Sequence, residues 1–262
     1  MNNTILARRL LVLACTVLVW VSSPAVADLA DTLARIKPSL VAVGTYQRTR
    51  NPGFSFSGTG FVVGDGTLVA TSAHVLKEIL DDANLETYAV AVAAPAGSGD
   101  GRVLQARRVA VDRERDVAIL RLDSARLPAI ALREGEDVRE GQAYAFSGFA
   151  LGEVLGFFPV TRLGIISSIA PAAIPVASAR QLKDGGAVRQ LAKGALRVYQ
   201  LDASAHPGHS GSPLFDPERG DVVGIINMLL VSGTRDQARA AATGIPYAIP
   251  IRHLRDLIAA NR

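Results

Sequence analysis

The 262-residue sequence contains one cysteine and one tryptophan, Cys15 and Trp20, and both lie within its first twenty residues. Aromatic residues make up only 5% of the chain. Because no cysteine occurs after residue 27, disulfides, thiolate metal sites and thiol catalysis are excluded from that part of the chain. The hydrophobic fraction of 49% argues against a disordered chain and is enough to form a core without cross-links.

Long hydrophobic runs are also missing. The apolar run from Leu10 to Val21 is shorter than the ~20 residues that span a bilayer. Arg8 and Arg9 precede it, and small residues at Ala25 and Ala27 follow it. This pattern predicts a secretory signal peptide over residues 1–27, so we expect a periplasmic or secreted protein. No later stretch is long and apolar enough to span a membrane, and we expect no membrane partner once the signal peptide is removed.

An excess of charge of one sign is lacking as well. The formal net charge is +4, and Arg8 and Arg9 are the only charged residues of the signal peptide, so the remaining chain carries +2. The other arginines are scattered along the sequence, which is typical of a solvated surface. We therefore expect no nucleic-acid partner.

The sequence after residue 39 consists of short apolar runs, such as Phe61-Val62-Val63 and Leu68-Val69-Ala70, separated by glycine-containing turns. Short strands at this spacing favour an all-β barrel or sandwich over an α/β fold. The polar stretch from Arg133 to Gly141 divides the runs into two similar sets. We expect one domain over residues 28–262 built from two barrels, roughly residues 39–133 and 134–251, with a short helix at each end.

Three segments carry residues with catalytic chemistry. They are Ala70-Thr71-Ser72-Ala73-His74-Val75, Arg115-Asp116-Val117-Ala118 and Gly208-His209-Ser210-Gly211. A serine hydroxyl becomes a good nucleophile when an imidazole takes its proton, and that imidazole needs a carboxylate to fix its tautomer. The order His74, Asp116, Ser210 is one of the three orders in which this triad occurs. The backbone N–H groups of Gly208 and Ser210 are the predicted oxyanion hole.

These segments, together with Ser57-Gly58-Thr59-Gly60 and Tyr247-Ala248-Ile249-Pro250, resemble the trypsin-fold serine proteases of the HtrA/Deg branch. The resemblance implies two six-stranded antiparallel barrels of the chymotrypsin type. It also implies an exported serine endopeptidase that cleaves proteins or peptides through an acyl-enzyme, with no cofactor and no metal. Family members usually carry PDZ domains after the protease domain, and we expect none here. The oligomeric state stays open, with a homotrimer as the form common in the family.

The resemblance also suggests a primary specificity pocket. It assigns Ser204 to the back of the pocket, and Ala205, Asn227 and Leu229 to its walls. Since Ser204 is neutral, the pocket lacks the acid that pairs with Lys or Arg in trypsin-like enzymes. We therefore expect a small or medium aliphatic residue before the cleaved bond.

Two positions depart from the family pattern, and two alternatives to a protease stay open. His209 stands where the family usually has Asn, and Ser212 stands where a second Gly is usual. We expect His206 and His209 to be surface or gating groups. One alternative is a catalytically silent protease fold used as a binding or regulatory module. The other, less favoured, is an α/β-hydrolase esterase, although its motif requires Gly at position 212 and a preceding parallel strand.

Overall fold

A computed structural model describes residues 28–92, 101–150, 158–172, 196–227 and 246–261. These residues form two closed barrels of six strands each, with helix α1 (Leu29–Ile36) at one end of the chain and α2 (Arg252–Ala259) at the other. The predicted signal peptide lies outside the described residues. Within those ranges, no helix has the length and hydrophobicity needed to cross a membrane.

The first barrel is an antiparallel sheet in the order β1-β2-β3-β6-β5-β4, closed by pairing of β4 with β1. Gly64 and Gly66 form the β2–β3 turn with φ values of 65° and 89°, in the left-handed region where a Cβ is disfavoured. Its strands are β1 (Leu40–Tyr46), β2 (Phe54–Val63), β3 (Leu68–Thr71), β4 (Thr87–Val92), β5 (Arg102–Asp112) and β6 (Val117–Leu122).

The second barrel repeats this arrangement in the order β10-β11-β12-β9-β8-β7. All its strand pairs are antiparallel, and β7 pairs with both β8 and β10. Its strands are β7 (Ala143–Gly148), β8 (Val160–Ala172), β9 (Leu196–Asp202), β10 (Pro213–Phe215), β11 (Val222–Asn227) and β12 (Tyr247–Pro250).

Strands such as β1 and β11 bury both of their faces because the two barrels pack against each other. In β1, Val41 and Val43 point into the first barrel, whereas Leu40 and Ala42 join a core shared by the two barrels. Side chains alternate between the two faces of a strand, so a run that is buried on both sides is apolar throughout. The shared core also contains Phe149, Phe215 and Ile225 of the second barrel and Ile36 and Leu254 from the two helices.

An ion-pair cluster holds the inter-barrel connection in place. Arg133 is 6% exposed, and its guanidinium donates to Asp216 at 2.8 Å and to Asp221 at 2.6 Å. These two carboxylates flank the turn between β10 and β11. The contacts therefore fix the segment that connects the two barrels to the sheet of the second barrel.

The expected all-β fold with two six-stranded antiparallel barrels and terminal helices is confirmed. The α/β-hydrolase alternative is wrong, because every pair of named strands in the described residues is antiparallel. Strand β2 begins at Phe54 rather than at Phe61, since the glycine-rich segment before Phe61 also pairs with β1. A Cβ on Gly58 would lie 2.9 Å from the Ser210 carbonyl, and one on Gly60 would lie 2.6 Å from Val43. The glycines therefore allow close packing within a strand.

Candidate active site

His74 lies in a short 3₁₀ turn, Ala73–Val75, directly after β3. Its backbone N–H donates to Asp116 Oδ1 at 2.8 Å, and its Nδ1 lies 2.6 Å from Asp116 Oδ2. The His74 side chain is 23% exposed, whereas that of Asp116 is 5% exposed. Since an ionised carboxylate only accepts hydrogen bonds, this contact assigns the ring proton to Nδ1 and leaves the lone pair on Nε2.

Asp116 ends the turn between β5 and β6 in a left-handed conformation, with φ of 55°. Aspartate tolerates this conformation better than most side chains. Its backbone carbonyl accepts from Ala73 N at 3.2 Å, which ties the turn to the residue before His74. Its carboxylate accepts a third hydrogen bond, from the Asn227 amide at 2.8 Å. The carboxylate is thus held in one orientation by donors from both barrels.

Ser210 follows a tight turn formed by residues 206–209. Pro207 occupies the second position, Gly208 the third with φ of 98°, and His209 N donates to His206 O at 3.1 Å. These are the features of a type II turn, which needs a residue with positive φ at its third position. Among the described residues, neither the Gly208 N–H nor the Ser210 N–H has a hydrogen-bond acceptor. The two predicted oxyanion-hole donors are therefore not engaged by the described part of the chain.

The nucleophile loop contacts both barrels. Thr59 N on β2 donates to the Ser210 carbonyl at 2.9 Å, and Gly211 N donates to Ile226 O at 2.8 Å. Gly211 has φ of 86°, and a Cβ there would collide with the Thr59 carbonyl. Within the described part of the chain, the Ser210 hydroxyl and the His74 imidazole do not form a hydrogen bond. Catalytic hydrogen bonds of this kind commonly tighten only when substrate binds.

His209 is fully buried, so the expectation that it is a surface group is wrong. Its Nδ1 lies 3.1 Å from His206 N and 3.0 Å from His206 O, and its ring meets Phe146 edge to face. Although the local sequence is polar, the hydrogen bonds within the turn hold the His209 ring in the interior. Burial lowers the pKa of His209 to about 4, and its Nε2 has no hydrogen-bond partner in the described part of the chain. His206 is exposed, as expected.

The residues assigned to the specificity pocket lie in different surroundings. Ser204 is exposed, and Ala205 is buried in the second barrel. Asn227 is fully buried and contacts Asp116, a role that sequence reasoning missed. The available signal was a polar residue that ends the wholly apolar run Val222–Ile226, since a buried amide must find a partner. Leu229 lies outside the described residues.

The described side chains offer little for metal binding. Across the described ranges, His, Cys, Asp and Glu side chains do not gather in groups of three or more that could hold a metal ion. The polar groups of the site are instead an imidazole, a carboxylate, a hydroxyl and two backbone N–H groups. Such a set can activate a nucleophile and stabilise an oxyanion.

Comparisons with known proteins agree with the fold. A family model described as a trypsin-like peptidase domain matches residues 58–225. The chain is 31% identical over 198 residues to a probable periplasmic serine endoprotease DegP-like of Halomonas elongata, over 74% of this chain and 32% of that protein. It is 26% identical over 196 residues to the putative serine protease HhoB of Synechocystis sp., and the alignment covers 75% of this chain and 38% of that protein.

A third relative aligns over more of the chain. The serine protease HTRA1A of Danio rerio is 27% identical over 235 residues, which cover 88% of this chain and 40% of that protein. The chain thus spans between about a third and two fifths of the length of these relatives. On the fold, the matched family model and these relatives, this chain belongs to the trypsin-like peptidase family and is similar to its HtrA and DegP serine proteases.

Proposed function

We propose that the protein is an exported serine endopeptidase whose catalytic triad is His74, Asp116 and Ser210. The observation that carries the proposal is the 2.6 Å contact between His74 Nδ1 and a buried Asp116 carboxylate. This contact leaves Nε2 of His74 as the only ring atom able to take a proton. A carboxylate in this position also stabilises the imidazolium that forms when the proton is taken.

The reaction follows from these groups. Ser210 Oγ attacks the carbonyl carbon of the substrate while His74 Nε2 takes the hydroxyl proton, and the carbonyl oxygen becomes an oxyanion. The N–H groups of Gly208 and Ser210 donate to that oxyanion, and each such donor contributes about 10²–10³ in kcat. His74 then gives its proton to the leaving amine as the C–N bond breaks, which leaves an acyl-enzyme on Ser210. A water molecule then attacks the acyl carbon while His74 Nε2 takes one of its protons. The bond to Ser210 Oγ breaks, His74 returns the proton to Oγ, and the carboxylic acid product leaves.

We assign the preference before the cleaved bond to small or medium aliphatic side chains. Ser204 and Ala205 support this preference, because neither supplies an acid to pair with Lys or Arg. A series of peptides that differ only at this residue tests it. We expect higher kcat/KM for Ala, Val and Leu than for Lys, Arg or Asp; a preference for Lys or Arg contradicts the assignment.

Export and the class of substrate are proposed on the signal-peptide pattern of residues 1–27. The names of the three relatives agree, since one is called a periplasmic serine endoprotease and the other two are called serine proteases. The substrates are then proteins or peptides of the periplasm or the medium. Mass spectrometry of the protein from an osmotic-shock fraction tests this; we expect a chain that begins at Asp28.

The activity is tested by cleavage of an unfolded protein with the exported chain and its Ser210→Ala and Asp116→Asn variants. We expect Ser210→Ala to lower kcat by about 10⁴–10⁶. If the wild type and Ser210→Ala bind the substrate equally and neither cleaves it, the result supports the alternative that the protein is a catalytically silent binding module. Cleavage by Ser210→Ala at the wild-type rate contradicts the triad.

A further inference from the structure

Thr59 connects the nucleophile loop to the first barrel through its side chain as well as its backbone. It is fully buried on β2. Its hydroxyl donates to the Gly208 carbonyl at 2.7 Å and accepts from Phe149 N at 2.9 Å. Its backbone N–H donates to the Ser210 carbonyl at 2.9 Å. One residue of the first barrel thus binds the carbonyls of both residues whose N–H groups form the proposed oxyanion hole.

The Thr59 hydroxyl donates one hydrogen bond and accepts another, so its role requires a group that can do both. It satisfies a buried N–H at the end of β7 and a carbonyl of the nucleophile loop, which both belong to the second barrel. Valine has the same shape but neither donates nor accepts, so it loses both of these hydrogen bonds. Serine retains the hydroxyl and loses only a methyl group.

The same contacts fix Gly208 from two sides. A Cβ on Gly208 would collide with the Phe149 carbonyl, so the Gly208 backbone lies directly against Phe149. The N–H of Phe149 is in turn bonded to Thr59. Thr59 itself is held by Thr71, whose hydroxyl donates to the Thr59 carbonyl at 2.7 Å. Thr71 is the last residue of β3, three residues before His74.

We propose that Thr59 is a positioning residue. Its hydroxyl aligns the oxyanion donors and Ser210 with His74 across the two barrels. This inference rests on the proposed function. The base and its carboxylate belong to the first barrel, and the nucleophile and its oxyanion donors belong to the second. Displacements of about 1 Å between such groups cost as much as 10²-fold in rate. The hydroxyl acts on the geometry of the reacting groups and does not touch the substrate.

The test compares Thr59→Ser, Thr59→Val and Thr59→Ala in the exported chain. We expect Thr59→Ser to retain kcat within about threefold, and the other two to lower kcat by about 10–100-fold with little change in KM. Affinity for a peptide boronic acid, which forms a tetrahedral adduct with the serine, should fall in step with kcat. Affinity for an uncleaved peptide, measured in a Ser210→Ala background, should not change.

Ser147→Ala is the matched control. Ser147 is equally buried, and among the described side chains its hydroxyl bonds only to Thr161, at 3.0 Å, so its loss removes a buried hydroxyl without removing a hydrogen bond to the loop. Wild-type kcat in Thr59→Val, or equal losses in Thr59→Ser and Thr59→Val, would overturn the inference. So would failure of both hydroxyl-free variants to fold, because Thr59 would then serve stability alone. If wild type itself shows no Ser210-dependent cleavage, the proposed function fails instead.

Discussion

Asn227, at the end of β11, donates its buried side-chain amide to the carboxylate of Asp116 at 2.8 Å, across the boundary between the two barrels. The same carboxylate oxygen also contacts His74 Nδ1. Asn227 therefore helps to determine the orientation of the group that orients the base. This contact indicates that Asn227 orients Asp116, whereas the sequence had assigned it to a wall of the specificity pocket.

Replacement of Asn227 separates these two roles. Asn227→Ala removes one donor from Asp116, and we expect kcat to fall by about tenfold with the cleavage preference unchanged. Asn227→Asp should cost more, because two carboxylates in contact do not both ionise at neutral pH. Steady-state kinetics on peptides that differ before the cleaved bond measure both effects. A changed preference with full kcat would favour the pocket role.

The buried His209 should make the fold sensitive to acid. Because its pKa in the folded protein is lowered to about 4 from 6.5, the unfolded chain takes up the proton first as the pH falls. The stability that the neutral ring contributes is complete above pH 6.5 and is lost as the pH falls through about 4. The neighbouring Arg162 guanidinium and His206 disfavour protonation of His209 further, and the described residues supply no acid to this ring.

His209→Asn tests this dependence through the free energy of unfolding at several pH values. We expect the wild type to lose about 3 kcal/mol relative to the variant between pH 6.5 and 4. His206→Asn is the control at an exposed neighbouring position: it keeps the buried ring of His209, so its pH dependence should stay closer to that of the wild type than to that of His209→Asn. Parallel curves for wild type and His209→Asn would show that the ring does not govern acid stability.

The buried Glu86 should cause a second loss of folding stability, at a lower pH. Burial acts to raise its pKa, but hydrogen bonds from Lys77, Thr45, Asp81 N and Arg50 outweigh burial and lower the pKa to about 2. Its stabilising contribution is therefore complete above pH 4.5 and is lost as the pH falls through about 2. We expect Glu86→Gln to lower the free energy of unfolding at pH 7 by about 2–3 kcal/mol.

The control for Glu86 is the neighbouring Glu78. Its side chain is 67% exposed and pairs with an exposed arginine, Arg113. Exposed pairs contribute little, so Glu78→Gln should change the free energy of unfolding by less than about 1 kcal/mol. Denaturation in urea at pH 7 and pH 3 compares the two variants. A Glu86→Gln protein as stable as Glu78→Gln at pH 7 contradicts the assigned role.

Sequence patterns predicted the architecture because barrel strands that bury both faces give short apolar runs between turn glycines. Local motifs also located His74, Asp116 and Ser210 as candidate catalytic residues. The contacts between the barrels could not be predicted in this way. Thr59 and Asn227 meet their partners only after the barrels pack. His209 was expected at the surface because its neighbours are polar, whereas the turn hydrogen bonds direct its ring inward.

The most direct test of the account is labelling of the exported protein with a fluorophosphonate probe, followed by mass spectrometry of the modified peptide. The probe reacts only with an activated serine hydroxyl, which displaces fluoride and forms a phosphonate ester. We expect one label per chain, located on Ser210, and none in Ser210→Ala or His74→Ala. A folded wild-type protein that stays unlabelled, or a label on another residue, would contradict the proposed triad.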